Sequence, residues 1–121
     1  MLGAIAGDII GSPYEYASFK SEDFPLFIPE SRFTDDTVLT VAVADALLNE
    51  KGFAESLNAY ARKYPDADYG NKFIDWMQSD SLEPYYSWGN GSAMRTGPIG
   101  YFYNDRKKNF GRIQGVRQRH P

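Results

Sequence analysis

Two adjacent carboxylates, Asp35 and Asp36, sit between Thr34 and Thr37, ahead of an almost unbroken run of Val, Leu and Ala that ends at Leu48. Paired charges at the head of an apolar segment are costly unless something compensates them. Two compensations suit these residue types. At a helix start, free backbone N–H groups and the helix dipole favour acidic side chains. Carboxylate and hydroxyl oxygens also form a good site for a hard cation such as Mg, Ca or Mn. The residues alone leave both readings open. A second stretch with chemical content is Ser87-Trp88-Gly89-Asn90-Gly91-Ser92-Ala93-Met94-Arg95. Glycines flank Asn90, and Ser92 is placed to cap a helix that starts at Ala93 and ends at Pro98 or Gly100. A Gly-rich turn opening into a helix is a physical anion site, because its free N–H groups point outward. A plain tight turn with a good N-cap explains the same residues equally well. The stretch is neither a dinucleotide-binding fingerprint nor a phosphate loop of the Walker type, since no strand precedes it and no Gly-Lys-Ser/Thr follows.

Two further acids have a chemical and a plain reading. Asp8 is the one charge within Leu2–Gly11, and reads either as a hydrogen-bonded buried carboxylate or as support for a polar site. Glu15, between Tyr14 and Tyr16, reads by itself as a surface residue.

The chain contains no Cys, and its one His is His120. Disulfides, thiolate zinc sites and Cys nucleophiles are excluded, and a Ser-His-Asp triad is not expected. Catalysis here must run on carboxylates, hydroxyls, Lys/Arg or a bound metal. No apolar stretch reaches the ~20 residues of a membrane span, and no signal-type leader opens the sequence, so a cytoplasmic protein is the expectation.

The elements that must position these residues are helical. At 121 residues the length suits one domain. Residues 2–11 read as a short buried helix whose three glycines imply close packing against a neighbour. Gly11-Ser12-Pro13 stops it. Residues 17–33 form a loop anchored by Phe24, Leu26, Phe27 and Ile28. The central helix starts at an N-cap, Thr34 or Asp35, and runs to about Asn49, apolar on almost its whole circumference and hence buried on most sides. Residues 53–64 carry the stripe Phe53, Leu57, Tyr60, Ala61 and Tyr64 at helical spacing. Residues 71–78 form a short helix presenting Phe73, Ile74 and Met77. No stretch reads as a set of alternating strands, and the class is all-α.

Charge divides the chain. Residues 1–105 hold all 16 acids and seven of the 13 bases, giving -9, whereas residues 106–121 hold six bases (Arg106, Lys107, Lys108, Arg112, Arg117, Arg119) and no acid, giving +6. A basic tail can bind nucleic acid or an acidic surface. A solvated or disordered tail is the favoured reading, since only Phe110 interleaves its charges, and nucleic acid is not an expected partner. The abrupt change of character also fits a tail that is not the natural continuation of the domain.

Three stretches stand together in order and spacing: Gly7-Asp8-Ile9-Ile10-Gly11-Ser12-Pro13-Tyr14-Glu15, Thr34-Asp35-Asp36-Thr37, and Gly89-Asn90-Gly91-Ser92-Ala93-Met94-Arg95. Over residues 2–105 the chain closely resembles the ADP-ribosylglycohydrolases, including the dinitrogenase reductase-activating glycohydrolases. The resemblance implies an all-α orthogonal helical bundle with a binuclear Mg or Mn centre. It makes Thr34, Asp35 and Asp36 metal ligands and puts Glu15 at the metal site too, as a ligand or as a partner of the catalytic water, with Glu15 and Asp36 the candidate catalytic carboxylates. It assigns Asn90, Gly91, Ser92 and Met94 to the diphosphate and ribose of ADP-ribose, with Trp88 and Tyr86 near the adenine. The implied reaction is hydrolysis of an N- or O-glycosidic bond at the anomeric carbon of ADP-ribose attached to a protein or small acceptor. Members of that family are longer and supply a second acidic motif, of Asp-x-Asp-Thr type, from a C-terminal half. No acid follows Asp105 here, so residues 1–105 are expected to be the N-terminal part of such a domain, truncated or frame-shifted, with half of the metal site elsewhere. A helix missing half its covering implies a homo-oligomer. Two other functions fit the same residues: a non-catalytic module that binds ADP-ribose or a related nucleotide, and a helical interaction protein using its basic tail.

Overall fold

The computed structural model describes residues 1–103, and the basic tail over 106–121 lies outside them. Among the described residues the chain is helical, with no strand: α1 (Leu2–Gly11), a 3-10 turn (Ser12–Tyr14), α2 (Asp35–Leu48), α3 (Phe53–Lys63), α4 (Asn71–Gln78), α5 (Gly91–Met94) and α6 (Gly97–Phe102). The all-α reading stands, and α2, α3 and α4 lie within a residue of where periodicity puts them.

α2 is the organising element. Val38, Leu39, Thr40, Ala42, Val43, Ala46 and Leu47 are buried, and α1, α3, α5 and α6 all pack on it. Its small residues, Ala42 and Ala46, let neighbours approach, while Leu39 and Val43 beside them are fully buried. α3 adds Leu57 and Ala61 to this core, α4 adds Phe73, Trp76 and Met77, and α6 adds Ile99. α2 ends in a Schellman closure. The Lys51 N–H donates to the Ala46 carbonyl at 3.0 Å, and Glu50 takes the left-handed position with φ of 53°. Asp45 holds the closing turn through Asn49 (2.6 Å) and Lys51 (2.8 Å).

Three expectations are corrected. α1 is not a buried helix: none of its residues is buried, and Leu2 is 84% exposed. A Cβ added at Gly3, Gly7 or Gly11 would meet nothing within 4 Å, so these glycines admit no close neighbour among the described residues. Second, Leu26 and Phe27 do not anchor their loop, being 56% and 64% exposed. The anchoring is aromatic instead, with Phe19 and Phe24 packed on Tyr14 at 4.8 and 5.3 Å, and the Tyr14 hydroxyl donating to the Pro25 carbonyl at 3.0 Å. Third, the helix placed at Ala93 begins at Gly91 with Asn90 as its N-cap, and Ser92 caps nothing. Pro98 opens a further helix rather than ending one, because proline's fixed φ and missing N–H suit the first turn.

Candidate functional site

Asp8 builds the site. Its Oδ2 accepts the Thr34 N–H at 2.8 Å, the Thr37 N–H at 3.2 Å and the Thr37 hydroxyl, while its Oδ1 accepts the Thr34 hydroxyl at 2.6 Å. One carboxylate thus serves four donors at the N-terminus of α2. Thr34 is buried, and its Oγ1 also accepts the Asp36 N–H at 3.3 Å, the N-cap bond of α2. Ser12 ties the 3-10 turn to the segment before the motif, donating to the Ile9 carbonyl and accepting the Arg32 N–H at 3.0 Å. Asp8 is hydrogen-bonded as expected, but it is only partly buried. It also supports a polar site by fixing the backbone that carries Asp35 and Asp36.

The two adjacent aspartates face different spaces. Asp36 lines a cavity of about 420 Å³ together with Gly7, Asp8, Gly11, Glu15, Thr37, Thr40 and Met94. Asp35 lines another, of about 310 Å³, whose walls are Gly70, Asn71, Lys72, Phe73, Tyr85 and the stretch Ser87–Gly91 together with Met94 and Arg95. Met94 belongs to both, and its carbonyl accepts the Thr40 hydroxyl at 3.5 Å, tying α5 to α2. The structure thus joins the acidic pair to Asn90, Gly91 and Met94 across these two spaces. Ser92 lines neither. Glu15, the C-cap of the 3-10 turn, is exposed and lines the Asp36 cavity. Trp88 is 93% exposed at the mouth of the Asp35 cavity, and Tyr86 lines a separate one.

The electrostatics are those of an unbalanced acidic cluster. Burial pushes the Asp35 carboxyl up to about 7, helped by the charges of Asp36, Glu15 and Asp8. Asp36 is raised as well, first by burial and then by Asp8. On the far wall Arg95 is fully buried. Burial lowers its guanidinium to about 9 against the pull of Tyr85 and Asp35, and the group lies 5.9 Å from the Phe73 ring centroid.

This donor set fits a hard divalent cation in kind. Asp35 and Asp36 are adjacent half-buried carboxylates that carry mutual repulsion, and a cation would relieve it. In number it is short: among the described residues no three acidic or histidine side chains converge as a metal cluster. The Thr34 oxygen already serves Asp8 and Asp36.

Sequence reasoning missed two participants. Arg95 closes the quoted motif yet carried no role, because nothing in its spacing shows that it is buried behind Asp35. Tyr69 is 6% exposed, stacks on Phe73 at 5.2 Å and feels the Asp35 charge. Its only sequence signal was its place before Gly70 and the start of α4.

Comparison with known proteins bears on all of these residues together. No curated protein and no solved structure matches the chain. The model of one family, ADP-ribosylglycohydrolase, matches residues 1–118, running into the basic segment. That match takes in the Asp8 clasp, the acidic pair it holds and the Gly-Asn-Gly turn facing Asp35, on a chain that folds into helices as the resemblance implied. It spans nearly the whole sequence, and the chain belongs to the ADP-ribosylglycohydrolase family.

Proposed function

We propose that these residues form the N-terminal part of a metal-dependent hydrolase site that cleaves the N- or O-glycosidic bond between ADP-ribose and a protein side chain or small acceptor. The observation that carries this reading is the placement of Asp35, a half-buried carboxylate raised to about 7, in one cavity with Gly89-Asn90-Gly91. Backbone N–H groups of that turn are suited to diphosphate oxygens. Asn90, Gly91 and Met94 would orient the ribose, with Ser92 behind them in α5. Asp35 and Asp36, with Thr34, would hold Mg2+ or Mn2+; such an ion supplies Lewis acidity and a lowered water pKa when bound. The remaining chemistry is carboxylate chemistry. Positive charge develops at the anomeric carbon as the bond breaks, and acids nearby favour it. Glu15, exposed in the cavity that Asp36 also lines, would take the proton of the attacking water, with Asp36 as its partner.

The reading extends to assembly and place. Leu2, Leu48 and Tyr101 are 84%, 69% and 76% exposed, and self-association would cover them. The protein would act in the cytoplasm; no helix among the described residues is long and apolar enough to cross a membrane. A second reading is binding of ADP-ribose without turnover, favoured by the shortage of converging acids among the described residues. Incubation with an ADP-ribosylated protein in Mg2+ or Mn2+ separates the two. Release of ADP-ribose, lost in Asp35→Ala and Asp36→Ala, supports hydrolysis. Calorimetric binding of ADP-ribose with no release supports the second, and neither result sinks both.

A further inference from the structure

Two apolar side chains project from the loop before α2, and the loop is braced to hold them out. Leu26 and Phe27 are both more exposed than buried, and prolines at 25 and 29 flank them. On one side the Pro25 carbonyl accepts the Tyr14 hydroxyl at 3.0 Å, and Phe24 packs edge-on against Tyr14 and Phe19. On the other side the Ile28 N–H donates to the Ser31 hydroxyl at 3.1 Å, and the Ser31 N–H donates back to the Ile28 carbonyl at 3.0 Å. A tip fixed at both ends loses little freedom on docking. Its surroundings are acidic: Glu22, Asp23 and Glu30 are exposed, and residues 21–30 contain no base.

The same loop ends in a surface of the opposite kind. Phe33 meets Tyr64 of the α3 C-terminus edge to face, with centroids 5.9 Å apart, and both rings remain exposed. The pair walls two hollows. One, of about 190 Å³, is completed by Val38, Val41 and Tyr60 with Thr37. The other, of about 310 Å³, is edged by Arg32 and Lys63, with Asp66 the one acid in its wall. The Lys63 ammonium lies 5.4 Å from the Tyr64 ring centroid, and Arg62 beside it is exposed. Arg32 is already paired with Asp68 at 2.7 Å, which leaves Arg62 and Lys63 as the cations of this edge. An apolar tip among acids and apolar hollows edged by bases are complementary in both shape and sign.

We propose that this patch is a self-complementary interface between two copies of the chain, in which Leu26 and Phe27 of one protomer enter the Phe33–Tyr64 hollows of its partner while Glu22, Asp23 and Glu30 face Arg62 and Lys63. The chain's own basic segment is the wrong occupant, since residues 106–121 hold six bases and no acid and would meet cations of like sign. Tip and hollow lie on one loop, so a two-fold axis makes each contact twice and closes the assembly as a dimer. The inference rests on the self-association proposed above and gives it a surface, one that does not include Leu2, Leu48 or Tyr101.

The absence of Cys from the chain lets introduced thiols report one contact at a time. Phe27→Cys and Tyr64→Cys proteins, mixed and treated with oxidised glutathione, should form a disulfide-linked heterodimer. Sedimentation equilibrium of the wild type should give a dimer that weakens as salt is added. Phe27→Ser should raise its dissociation constant by about tenfold or more, as loss of an aromatic anchor does, and Leu48→Ser should not. Phe27 lies outside the core cluster, and circular dichroism checks that the variant keeps its helices. A dimer that Phe27→Ser does not weaken, or a mixture in which positions 27 and 64 form no link, overturns this interface and leaves self-association through another surface standing. A wild type that stays monomeric at all concentrations overturns both.

Discussion

Asp35 is the most strained titratable group in the acidic cluster. Its carboxyl is raised to about 7 from an ordinary 3.8, so between those values the folded protein holds a proton that the unfolded chain has released. Stability without metal must therefore fall as pH rises from about 4 to about 7, and level off above. Asp35→Asn removes that penalty. At neutral pH it should stabilise the metal-free protein by about 1–2 kcal/mol, a figure reduced for the side chain's partial exposure, while abolishing Mn2+ binding. Thermal melts at two pH values check both signs, and a variant less stable than wild type at neutral pH contradicts the argument. The pair itself was legible from sequence, because acids ahead of an apolar run need compensation wherever they fold. The partners of Asp35 were not. Arg95 shares the Asp35 cavity only because α5 packs on α2, and no local spacing encodes that.

Among the elements, α2 shows how far a local signal carries. Its N-cap, its length and its burial all follow from Thr34, the apolar circumference and Asn49. Its final turn holds a residue the sequence gives no reason to expect there, Glu50 at φ of 53°. A side chain in that region costs energy that glycine avoids. Glu50→Gly should raise stability by about 0.5–1 kcal/mol in urea unfolding, with the Asp45–Lys51 ion pair intact. The region from Gly91 to Phe102 was misread because short helices carry little periodicity, and one proline can close a helix or open the next. α1 was misread for a different reason. Its small and apolar residues look like a packing surface, and whether a surface is covered is decided by what lies opposite.

On the scale of the molecule, one core under α2 coexists with apolar side chains left in water. Leu2 and Leu48 are 84% and 69% exposed, as are Tyr16, Trp88 and Tyr101 to similar degrees. Light scattering over a concentration series should show a mass above the monomer, and a mass of one chain at all concentrations would dispose of self-association. The fold class was legible at this scale, since helical periodicity and the absence of alternating strands survive any error at a boundary. The two-cavity division of the site was not, because it depends on where α5 docks.

The Asp8 clasp couples these scales. None of α1's residues is buried, and the side chain that bonds this helix to the start of α2 also caps and aligns the Thr34–Thr37 motif. Breaking it in Asp8→Ala should cost about 2–4 kcal/mol, as several hydrogen bonds to a charged acceptor are lost together. In hydrogen exchange the amides of α1 should open with far less protection than those of α2, and in Asp8→Ala their protection should vanish while that of α3 and α4 persists. Detachment of the first helix and disarming of the acidic pair are then one event, so the readiness of this site is set by a sub-global opening equilibrium at the chain's first eleven residues.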